Sequence, residues 1–70
     1  MGTINSSDII FATLTQRGNQ VATFRFSGLT SIADIIKQIR TNVRNCIGMV
    51  TLQLRNGTQG WSQSRSLLLS

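Results

Sequence analysis

Apolar and polar residues alternate along two stretches near the N-terminus. From Asp8 to Gln16, Ile10, Ala12 and Leu14 take one face while Ile9, Phe11, Thr13 and Thr15 take the other. A period of two with β-branched residues at many positions predicts a strand. From Gln20 to Ser27, Ala22, Phe24 and Phe26 oppose Val21, Thr23 and Arg25, which predicts a second strand. Between them, Arg17-Gly18-Asn19 has turn chemistry, because Gly and Asn tolerate positive φ. A three-residue loop with Gln16 opposite Gln20 brings Leu14 beside Ala22, Ala12 beside Phe24 and Ile10 beside Phe26. That register gathers six apolar side chains on one face.

The rhythm then changes. Ile32, Ile35, Ile36, Ile39, Val43 and Cys46 recur at helical spacing and fall within a sector of roughly 100°, the width of a core-facing stripe. Ser31 followed by Asp34 has the spacing of a capping box, with Asp in place of Glu or Gln. Asp34 also stands where the helix dipole favours negative charge. With Gly48 as a stop, the predicted helix runs from about Ile32 to about Asn45.

Alternation returns with Val50, Leu52 and Leu54 set against Met49, Thr51, Gln53 and Arg55. Asn56-Gly57 is a strong hairpin signal, and Gly60 leaves the loop length open. From Trp61 to Leu69, Ser62, Ser64 and Ser66 oppose Trp61, Gln63, Arg65, Leu67 and Leu69. Trp61 fits a hairpin-end core anchor on its large apolar area. The run Leu67 to Leu69 fits either a strand buried on both faces or a surface awaiting a partner.

These elements predict an α+β fold in ββαββ order: a four-stranded, mainly antiparallel sheet with one helix packed on one face. Residues 1–7 read as a flexible lead and 8–70 as one small domain. The first strand is expected at a sheet edge, guarded only by Asp8.

Chemistry enters mainly through what is missing. The chain has no His, Glu, Tyr or Pro, and Asp8 and Asp34 are its only acidic side chains. General acid–base catalysis draws on His or on a tuned carboxylate pair, and Asp34 is already assigned to a helix start. A lone cysteine, Cys46, has no His to activate it and fits a small core side chain. Zinc and calcium both need more ligands than these. The expectation is a non-enzyme without metal, cofactor or small-molecule substrate. No apolar run approaches the ~18 residues of a membrane span, and no secretory signal stands out, so a cytoplasmic location is expected.

Seven basic residues against two acidic give +5, with only 13% of the chain charged. Two binding readings follow. In the first, the chain is a self-associating or protein-interaction module, homodimeric through the outer sheet face or an edge strand. Its candidate interface is Ile9, Phe11, Val21 and Met49, forming an apolar cluster if the hairpins lie side by side. In the second, the chain binds DNA or RNA. Phosphates then meet Lys37, Arg40 and Arg44 on the helix flank, with Arg25 and Arg55 on the sheet beside Phe11 or Trp61 as a stacking platform.

Overall fold

The computed structural model describes residues 4–44 and 46–69. The chain runs β1 (Ile10–Gln16), β2 (Asn19–Phe26), α1 (Ile32–Asn42), β3 (Gly48–Asn56) and β4 (Ser62–Leu69). The four strands form one antiparallel sheet in the order β2-β1-β3-β4, and α1 lies across one face. The expected α+β architecture is therefore the one observed. The inner face supplies Ile10, Ala12, Leu14, Val50, Leu52, Leu54, Leu67 and Leu69, which close around Ile35 and Ile39 of the helix. Trp61 packs at the margin of this core, at the end of the second hairpin.

Strand order corrects one expectation. β1 is an interior strand paired on both sides, so the exposed edges belong to β2 and β4. Asp8 guards no edge. It is buried, and accepts hydrogen bonds from the Asn5 main chain at 3.0 Å and from Asn56 Nδ2 at 2.8 Å.

The first hairpin also differs in its turn. Gln16 pairs with Asn19, leaving a two-residue loop of Arg17 and Gly18 with φ of 55° and 80°. Positive φ at both central residues is the pattern of a tight hairpin whose twist matches its strands. The extra residue is absorbed farther along: Thr15 faces Gln20 and Leu14 faces Ala22, with Val21 bulged between. The bulge restores the parity that buries Leu14, Ala12 and Ile10 beside Ala22, Phe24 and Phe26.

The helix begins as predicted. Ser31 is its N-cap, with extended backbone, and its hydroxyl accepts from the Asp34 N–H at 3.2 Å. It ends earlier than predicted, at Asn42, where Val43 turns extended. Thr41 Oγ1 and Asn42 Nδ2 donate to the Lys37 and Gln38 carbonyls of the last turn. Val43 and Cys46 still pack against the core, but from an extended connection that carries the chain to β3. Gly48 is thus not a helix stop; it opens β3 at φ 95°. Asn45 lies outside the described residues.

In the second hairpin, Arg55 pairs with Ser62, so the loop is longer than Asn56-Gly57 alone would close. Asn56 is buried and organises that loop: its Oδ1 accepts from the Thr58 and Gln59 N–H groups. Of the N-terminal lead, Ile4 packs against the core and the Ser6 carbonyl accepts from Gly28 N–H. Residues 1–3 lie outside the described residues. Among the leucines ending β4, Leu67 and Leu69 are buried while Leu68 faces out.

Candidate functional site

No described residue covers the sheet face opposite the helix, and alternation decides what it displays. Odd-numbered residues of β1, β2 and β3 point there because the even-numbered ones build the core. Cross-strand register turns this into rows. Phe11 on β1 stands between Arg25 on β2 and Arg55 on β3. In the next row Thr13 stands between Thr23 and Gln53. Beyond it, Thr15 faces Thr51, which in turn faces Ser66.

The Arg55 guanidinium lies 4.9 Å from the Phe11 ring centroid, a cation–π distance. Arg25 has no partner within the described structure and is exposed. The two arginines flank β1, so their Cα atoms sit about 10 Å apart, two strand spacings. Neither acidic side chain reaches this face: Asp8 is buried, and Asp34 is in the first turn of the helix. The row is consequently an uncompensated cationic strip with an aromatic ring at its centre.

Its floor is also fixed. A Cβ on Gly57 would lie 2.8 Å from Phe11 Cε2, so any larger residue there would require the ring to shift. Gly57 N–H donates to the Ile9 carbonyl, and Ile9 N–H donates to Thr58 Oγ1. Asn5, Asn56 and Gln59 bond to the Asp8 carboxylate on the same side of the loop and hold it below the usual carboxylate range. The end of the sheet carrying Phe11 is thereby braced.

The residues expected to bind phosphate divide between two faces. Arg25 and Arg55 share the open face, whereas Lys37 and Arg40 are on the helix, which covers the opposite face. Arg44 lies beyond the helix in the connection to β3, so no continuous helical stripe of Lys37, Arg40 and Arg44 forms. Arg40 is also engaged: its Nη1 donates to the Leu68 carbonyl of edge strand β4 at 2.7 Å.

The residues expected to form an apolar interface are also separated. Phe11 faces Arg55, while Met49 is two residues past the Thr15–Thr51 pair, which places them about 20 Å apart along the strands. Ile9 is half-buried beside the second hairpin loop, and Val21 is at the bulge of edge strand β2. Met49 instead faces Leu68, and the two make an exposed apolar corner; Ile47, exposed two residues before Met49, is the one the sequence pattern did not single out. Leu68 was hidden in a leucine run whose burial depends on strand parity. Trp61, the other candidate stacking residue, belongs to the core side.

Among the described residues, no helix is long and apolar enough to cross a membrane, and no cluster of three metal-ligating side chains occurs. The chain matches no family model, no curated protein and no solved structure.

Proposed function

We propose that this chain is a small non-enzymatic binding module, cytoplasmic, whose open sheet face takes nucleic acid. The observation that carries this reading is the row Arg25–Phe11–Arg55, in which two arginines flank one ring with no acidic side chain of the described residues beside them. Arginine forks suit phosphate oxygens, and aromatic or guanidinium planes suit bases. The helix-flank cations are secondary, since a strand lying on the open face cannot also reach the helix.

Fluorescence anisotropy with labelled DNA and RNA at ~50 and ~200 mM salt tests it, because each phosphate contact releases counterions and steepens the salt dependence. Changing Arg25 and Arg55 together to Ala should weaken binding and flatten the logarithmic salt slope by between about one and two. Absence of binding at the lower salt, or binding indifferent to both arginines, overturns the proposal.

A second reading, self-association as a homodimer, is favoured by the apolar corner. Met49 and Leu68 face each other across β3 and β4 and are 58% and 55% exposed, and grouped apolar exposure marks interaction surfaces. Sedimentation would then show a dimer in the parent protein and a monomer after Met49→Lys. A monomeric parent at micromolar concentration removes this reading.

A further inference from the structure

Beside the Arg25–Phe11–Arg55 row, the open face dips into a shallow depression of about 330 Å³ lined chiefly by Phe11, Thr13, Thr23, Gln53 and Arg55. The side chains of Thr13, Thr23 and Gln53 make no hydrogen bond within the described structure. Two hydroxyls and a carboxamide therefore present free donors and acceptors beside a ring and a guanidinium plane.

We infer that this depression seats one unpaired base of a single-stranded polynucleotide, an inference that rests on the nucleic-acid reading above. A base is a plane with two π faces and an edge of donors and acceptors. The Phe11–Arg55 end offers the stacking plane, and Thr13, Thr23 and Gln53 offer partners for the edge. Arg25, free on the adjoining strand, takes a neighbouring phosphate. Hydroxyl and carboxamide groups both donate and accept, so the site tolerates more than one base.

Duplexes fit this face poorly. Base edges in a duplex are reached only through a groove, and a major groove about 12 Å wide admits a helix or a two-stranded ribbon. Four strands span about 14 Å between their outermost backbones, and Phe11 lies in the interior of that surface on β1. A duplex can offer this face its phosphates but not its bases.

The test compares a short labelled thymidine oligomer, an abasic strand of equal length and a hairpin duplex by anisotropy. The base-containing strand should bind at least about fivefold more tightly than the abasic one, the factor expected from one stacked base. Gln53→Ala and Thr13→Val should each shrink that ratio while leaving the salt slope unchanged. Both positions are on the open face, and thermal melts check that the variants stay folded. Equal binding of thymidine and abasic strands overturns the inference while leaving a phosphate-binding face intact. Tighter binding of the duplex than of the thymidine strand also overturns it. Binding to none of the three at low salt overturns the nucleic-acid reading itself.

Discussion

Asn56 donates its side-chain amide to Asp8 Oδ2 at 2.8 Å, joining two buried polar residues 48 positions apart in the chain. The pair links the segment before β1 to the loop that closes the second hairpin. Asn5 and Gln59 add their own bonds to the same carboxylate oxygen. One acidic group thereby holds these two pieces of chain together at the end of the sheet that carries Phe11.

Folding stability should accordingly depend on acid. The hydrogen bonds from Asn5, Asn56 and Gln59 favour the ionised form and depress the Asp8 pKa, against the opposing effect of burial. A depressed folded-state pKa means the unfolded chain binds its proton first as pH falls. The stabilisation is therefore full above about pH 5 and declines as pH drops through about 4 and below. Thermal melts between neutral pH and about pH 2 should show this decline, and Asp8→Asn, which cannot ionise, should flatten it. A variant with the parent's acid limb would show that other groups govern it.

A side chain at position 57 should destabilise the fold while Phe11 is present. The added Cβ of Gly57→Ala would meet Phe11 Cε2 at 2.8 Å, and Arg55 lies over the same ring. Displacing a packed ring typically costs about 1–3 kcal/mol, and the low end applies because Phe11 is only half-buried. In a Phe11→Ala background the same substitution should be nearly neutral, and a double-mutant cycle measures the difference. Additive effects would place the clash elsewhere.

The extended connection after α1 should loosen when its clamp is removed. Gln16 Nε2 donates to the Ile47 carbonyl at 2.9 Å, and Cys46 Sγ lies 3.4 Å from Gln16 Oε1. Gln16→Ala should lower stability by about 1 kcal/mol, the usual net worth of such a bond. It should also speed modification of the half-buried Cys46 by a thiol reagent several-fold, through local opening. An unchanged thiol rate would mean that the packing of Val43 holds the segment without Gln16.

Periodicity made much of this legible. Alternation placed Phe11, Arg25 and Arg55 on one face, and the capping signal at Ser31 fixed the helix start. What periodicity could not convey was which strands are neighbours, because pairing partners come from packing and not from local pattern. The row Arg25–Phe11–Arg55 exists only because β1 lies between β2 and β3. An order with β1 at an edge would leave Phe11 with one arginine instead of two. The bulge at Val21 was hidden for a similar reason: a three-residue loop and a two-residue loop with a bulge put the same side chains into the core. The helix end was misplaced because Val43 and Cys46 reach the core from extended chain as well as from a helix. Apolar spacing alone does not distinguish the two.

The division of cations between two faces gives the last expectation. Arg40 holds the Leu68 carbonyl on edge strand β4, so its truncation should act on structure before it acts on a ligand. The bond is solvent-exposed, which limits the loss from Arg40→Ala to about 1 kcal/mol or less. Freeing part of the β4 edge removes a charged guard and should raise aggregation on heating. If polynucleotide lies on the open face, Arg40→Ala should leave the logarithmic salt slope of binding unchanged. Arg25→Ala should reduce it by about 0.7, the share of one phosphate on a single strand. The comparison runs within one titration series, at matched protein stability checked by thermal melts. A slope that falls with Arg40→Ala and not with Arg25→Ala would transfer the binding surface to the helix side of the sheet.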